Sequence, residues 1–141
     1  MTDADFDREL GGAGSLRKLL GHTAGAQAVW LERWQNRSPS GSWELTGSPD
    51  MAALQDHWQE IERATRRYLE TLREEDFAQD IAYTNFRGER WSYSRWQAMI
   101  HQVNHATQHR AEAAVLLTQM GRSPGDPDVL IVVDELGVRN P

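Results

Sequence analysis

Three histidines stand four residues apart in a single run, His101-Gln-Val-Asn-His105-Ala-Thr-Gln-His109. On a helix of 3.6 residues per turn, side chains four apart lie above one another on one face. His105 and His109 can therefore reach one divalent ion from consecutive turns. Each step of four also drifts by about 40° around the axis. Three successive histidines therefore do not all ligate one ion, and one of the outer pair, His101 or His109, stands behind the site or faces solvent. A third ligand has to come from elsewhere in the chain. His22 is the candidate, because it borders the apolar stripe of an earlier predicted helix and can point inward. His57, beside Trp58, reads as a surface or packing residue.

Other catalytic arrangements are absent from the sequence. There is no HExxH, so a zinc-protease helix with its own Glu base is excluded. The carboxylate-bridged helical bundle needs Glu-x-x-His twice. Here the order is reversed, as His57-x-x-Glu60 and His109-x-x-Glu112. No phosphate-cradling glycine loop and no GxSxG elbow occurs. With no cysteine, a thiolate zinc ribbon, a disulfide and a cysteine nucleophile are all excluded.

The elements that must position the histidines follow from hydrophobic period and punctuation. Ser15 is a plausible N-cap for a helix over about 15–36, with Leu16, Leu19, Leu20, Thr23, Trp30 and Trp34 on one stripe. Gly21 and Gly25 weaken it by about 1 kcal/mol each relative to Ala, but allow a neighbour to approach closely. A Ser/Gly/Pro-rich loop follows, and Ser48-Pro49-Asp50 reads as a second helix start. That helix spans about 50–74, with Leu54, Trp58, Ile61, Thr65, Tyr68, Leu69 and Leu72 in period and Glu62 paired to Arg66. Residues 76–91 lose the helical period, and Ile81, Tyr83 and Phe86 with a turn at Arg87-Gly88 suggest a short hairpin. Ser92 then starts a long helix ended by Gly121, with Trp96, Met99, Ile100, Val103, Ala106, Ala114 and Leu117 as its apolar face. The tail around LIVV reads as one or two helical turns or a strand. Long helices joined by loops, without strand–helix alternation, indicate an all-α helical bundle.

Composition narrows the class further. At 141 residues with a net charge of -6, the chain suits a single domain spanning 1–141. The excess of 21 acidic over 15 basic residues opposes sequence-independent binding to nucleic acid. No apolar run reaches the roughly 20 residues of a membrane span, and the acidic start is unlike a signal peptide. The expected setting is cytoplasmic. The six tryptophans need a core or pocket, and Trp30 and Trp34 are assigned to the core.

The run HQVNHATQHR resembles the His-x-x-Asn-His-x-x-x-His-Arg signature of the DinB-like (YfiT-like) metalloenzymes. SLRKLLGHTAGAQAVWLERW is similar to that family's segment with a helix-borne histidine and a later aromatic. The blocks GERWSYSRWQAMI and LLTQMGRSPGDPDVLIVV fit the layout on either side of the signature, and the resemblance covers roughly residues 10–135. It implies an up-and-down four-helix bundle in which His22, His105 and His109 hold one divalent ion, with His101 not a ligand. It also implies zinc or nickel as the metal, with iron or manganese as alternatives. Its relatives include transferases that use a low-molecular-weight thiol, and it favours a short helical or irregular tail.

Two departures from the family pattern matter. The signature normally continues His-Arg-Gly-Gln, whereas this chain reads His109-Arg110-Ala111-Glu112. Glu112 is either a hydrogen-bond partner behind a ligand or a solvated charge, and the solvated charge is the favoured reading. Asn104 and Arg110 flank the ligands but point away from them on a helix. The family also carries a full helix ahead of its first ligand segment, and that helix is expected to be short or missing here. A homodimer is expected to cover the apolar face this would expose.

The functional expectation has two branches. Imidazoles on a divalent ion leave a coordination position open, and such an ion lowers the pKa of a bound water or thiol. That favours a metal-dependent enzyme acting on a small molecule, either a small-thiol transferase or a hydrolase. The alternative is a non-catalytic, metal-stabilised dimeric bundle that binds a stress ligand.

Overall fold

A computed structural model describes residues 1–9, 14–41, 50–126, 128–135 and 137. The elements run α1 (Asp3–Asp7), α2 (Leu16–Trp34), α3 (Met51–Glu70), α4 (Glu74–Phe77), β1 (Asp80–Thr84), β2 (Arg90–Ser94), α5 (Arg95–Gln119) and α6 (Val129–Glu135). The three long helices expected from the sequence are present, and the tail is helical. The purely all-α class needs correcting, because β1 and β2 form a two-stranded antiparallel sheet.

Capping explains most of the boundaries. Ser15 Oγ accepts from the Lys18 amide and opens α2, as expected. Asp50 Oδ1 accepts from the Ala53 amide at 2.8 Å and opens α3. Ser48 and Pro49, proposed with Asp50 as that start, lie outside the described residues. The long helix is capped by Ser94, the last residue of β2, rather than by Ser92, which pairs with Ala82 within the sheet. Gly121 follows α5 with φ +71°, the left-handed conformation expected of a residue ending a helix.

The hairpin is short and well supported. Its turn runs through Arg87-Gly88, with Gly88 at φ +82° and its amide donating to Asn85 O. The register sets Ile81 opposite Tyr93 and Tyr83 opposite Trp91, so these four side chains share one face. Ile81 and Tyr83 are buried against Trp30 and Trp34 of α2. The outer edge of β1 is covered by the chain leaving α2: Asn36 Oδ1 accepts from Ala82 N and Ser38 Oγ from Thr84 N, both at 2.9 Å.

The segment ahead of α2 forms the five-residue α1 rather than a twenty-residue helix. Phe6 is fully buried and joins the core of Leu16, Leu19, Leu54, Ile61, Ala113 and Leu116. Arg17 of α2 lies over the Phe6 ring, 4.6 Å from its centre, and pairs with Asp7 at 2.6 Å and Asp3 at 3.3 Å. A short helix is thereby fastened to α2 by one aromatic side chain and one buried guanidinium.

α5 is rotated from the sequence expectation. Its buried residues are Arg95, Ala98, Gln102, Ala113 and Leu116. Of the face expected to be apolar, Met99 and Leu117 pack against the cores, while Trp96, Ile100 and Val103 are about half exposed. The middle of the inward face is polar, so hydropathy alone misplaces part of the stripe.

Candidate metal centre

α2 and α5 run antiparallel in close contact, and this brings His22 opposite the histidine run. His22 Nε2 lies 3.3 Å from His105 Nε2, and His109 Nε2 lies 3.2 Å from the same atom. One ligand atom from each of the three lies within 4.8 Å of the others. A tetrahedral ion with metal–nitrogen bonds of about 2.0–2.1 Å sets its ligand nitrogens about 3.3–3.4 Å apart. The two short separations match that edge, so the donor set fits a single divalent ion. His22 is exposed and the other two are half-buried, so one side of the centre opens to solvent.

The structure groups His109, not His101, with His22 and His105. His101 contacts Trp30 with ring centres 4.8 Å apart and planes tilted by 54°, and it stays outside the trio, its ring 6.2 Å from that of His105. It packs the wall beside the centre. His57 lies on α3, away from the trio.

Glu112 corrects the favoured reading of a solvated charge. Its Oε2 lies 2.6 Å from His109 Nδ1, and Gln108 Nε2 donates to its Oε1 at 3.1 Å. An Nδ1–H donating to this carboxylate leaves the His109 Nε2 lone pair free to face an ion. The bonds from Gln108 and His109 hold the Glu112 carboxyl below its ordinary range. The signal was in the sequence, since a residue three places on stands one turn above His109.

His105 is the central member of the trio and the most perturbed. Burial, then the neighbouring His109, His22 and His101 rings, push its pKa down to about 4. It is therefore neutral at physiological pH, the form that binds metal. Its Nδ1 is buried and has no hydrogen-bond partner among the described residues.

Gln102, which the sequence reading did not single out, is buried one turn from His105 on α5. Its Nε2 donates to Gln27 Oε1 at 2.9 Å, and Gln27 Nε2 donates to Thr65 Oγ1 at 3.3 Å. This polar ladder crosses from α5 through α2 to α3. Arg110 points away from the trio, as expected, and donates to Thr107 Oγ1 at 2.8 Å. Among the described residues, no helix is long and apolar enough to cross a membrane.

Comparison with curated proteins finds no match. The model of the DinB family matches residues 1–135, a span that takes in α1, all three histidines and both strands. The convergent histidines and this match over nearly the whole length agree, and the chain belongs to the DinB family.

Proposed function

We propose that this protein is a metal-dependent enzyme that acts on a small molecule, either as a small-thiol transferase or as a hydrolase, with zinc or nickel as its metal. The observation that carries the reading is the convergence of three imidazole nitrogens at ion-ligand spacing with one side open to solvent. A divalent ion there supplies Lewis acidity toward a water or thiol at neutral pH. The chain's own residues do the rest. His22, His105 and His109 hold the ion, Glu112 fixes the tautomer of His109, and Trp30 with His101 closes one wall. With no cysteine in the chain, any thiol comes from the substrate side. Elemental analysis of untagged protein tests the reading, with His105→Ala alongside. Near-stoichiometric metal lost in the variant supports it, and substoichiometric metal in both overturns it. Conjugation of small thiols to electrophilic dyes tests the transferase branch.

The second reading is a non-catalytic, metal-stabilised dimer. It is favoured by the exposed stripe of Trp96, Ile100 and Val103 on α5, with Trp91 and Tyr93 also exposed on β2. Monomers rarely leave such stripes uncovered. A large loss of thermal stability with chelator but no turnover with any thiol or ester substrate selects this reading.

A further inference from the structure

α3 and α5 both pack on α2 but make few contacts with each other, and a cavity of about 400 Å³ lies between them. That volume falls within the range of small-molecule sites, roughly 300–1,000 Å³. Its floor is the polar ladder of Gln27 and Gln102, and its walls include Ala24, Ile61, Leu69 and Ala106. The wall residues explain a discrepancy in α3. Trp58 and Leu69 keep the helical period of the buried stripe yet stay 36% and 43% exposed, because they border the cavity instead of a helix.

The cavity adjoins the histidine centre but does not include it, since Thr23, Ala106 and Arg110 line it next to His22, His105 and His109. On α5, Ala106 is rotated by about 100° from His105, and none of the three histidines lines the cavity. Two arginines do line it. Arg66 is committed to Glu62 at 2.7 Å. Arg110 makes no ion pair among the described residues, and its hydrogen bond goes to a neutral hydroxyl. In a chain with a net charge of -6, an uncommitted guanidinium beside an apolar cleft selects for an anion carrying an apolar body.

We infer that the cleft between α3 and α5 is a binding site for a small amphipathic monocarboxylate, its acid on Arg110 and its apolar body along Ala24, Ile61, Leu69 and Ala106. Calorimetric titration with octanoate and its neutral analogue octanamide tests this. Octanoate is expected to bind about tenfold more tightly than octanamide, the worth of one charge-assisted hydrogen bond. Arg110→Gln is expected to erase that preference. Ala106→Trp, which fills the cleft, is expected to abolish binding of both. Leu69→Glu changes an exposed position, so folding tolerates it, and it is expected to weaken octanoate more than octanamide. His105→Ala separates this site from the metal centre and is expected to leave octanoate affinity unchanged. Equal binding of acid and amide, binding that survives both Ala106→Trp and Leu69→Glu, or loss of octanoate in His105→Ala overturns the inference. Insertion of a helix from a second copy is the rival occupant. A dimer that Ala106→Trp dissociates in sedimentation, with no octanoate binding in the parent, overturns it in that direction.

Discussion

Replacing Glu112 by Ala removes the described side chain that anchors His109, one of the candidate ligands, from behind. With the carboxylate present, a proton on His109 Nδ1 is held by an acceptor at 2.6 Å, and Nε2 is left as a lone pair facing His105 and His22. Without it, the imidazole populates both tautomers and turns about its side-chain bonds, so binding an ion must first select one arrangement. Losing such a partner lowers metal affinity by about 10–100-fold. Glu112 remains about one-third exposed, so water replaces part of the interaction and the lower end applies. The expected loss is about tenfold, or about 1.4 kcal/mol. Glu112→Gln keeps an acceptor without the charge and is expected to fall between the two. The assay is competition for zinc against a chromophoric chelator at pH 7.5, with circular dichroism to confirm helicity. If Glu112→Ala binds zinc within twofold of the parent while His109→Ala loses binding, the carboxylate does not position the ligand and the reasoning fails.

The ion-free protein is expected to lose stability as pH falls from 6.5 toward 4. The folded chain holds the His105 pKa near 4, against an ordinary 6.5, so the unfolded chain takes up a proton that the folded chain refuses. The slope stays below about 1.4 kcal/mol per pH unit because the ring is partly solvated. Denaturant midpoints across that window check it, and a slope unchanged in His105→Gln refutes the assignment. Phe6→Ala is expected to cost about 3–5 kcal/mol, since the ring is fully buried in the core beside Leu16 and Leu19. A loss under about 1 kcal/mol in urea unfolding would show that α1 is not fastened through this ring. On the dimeric reading, Val103→Glu, at a residue 60% exposed, is expected to turn a dimer into monomer in sedimentation while the melting temperature at low concentration holds. A dimer that persists would mean that another surface joins the copies.

Sequence reading reached the centre through spacing and failed where spacing carries no information. Four-residue intervals are a property of the helix itself, so His105 and His109 were legible as a pair. His22 needed the antiparallel packing of α2 on α5, a long-range fact that only its place on an apolar border suggested. The rotation of α5 was misread for the opposite reason. Gln102, His105 and His109 occupy the inward face, while Trp96, Ile100 and Val103 give the outer one the stronger apolar signal. Hydropathy assumes that the inward face is the apolar one, and functional faces break that assumption. The hairpin is legible from Gly88 and alternating Ile81 and Tyr83, but the long helices dominate the pattern and give it an all-α reading.

The two apolar clusters explain how such a polar face is tolerated. One gathers Phe6, Leu16, Leu19, Leu54, Ile61, Ala113 and Leu116 at one end of the bundle, and the other gathers Trp30, Trp34, Ile81, Tyr83 and Ala98 at the other end. Along α2, His22 falls between Leu19 and Ala24 of the first cluster; along α5, His105 and His109 fall between Ala98 and Ala113. The two histidines of α5 and the Gln27–Gln102 ladder thus form a polar waist between the two cores, with His22 at the edge of the first, and each core holds α2 to α5. Burying polar groups there is costly unless they are paired, and the ladder and the Glu112 contact supply pairs for some of them. His105 Nε2 meets its neighbours' Nε2 atoms at 3.2 and 3.3 Å. If His22, His105 and His109 all carry their protons on Nδ1, no proton lies between these nitrogens and their lone pairs oppose one another. A cation is what makes that arrangement favourable. The waist is held in place by cores that do not depend on it, so its geometry is set before any ion arrives, as preorganised ligation requires.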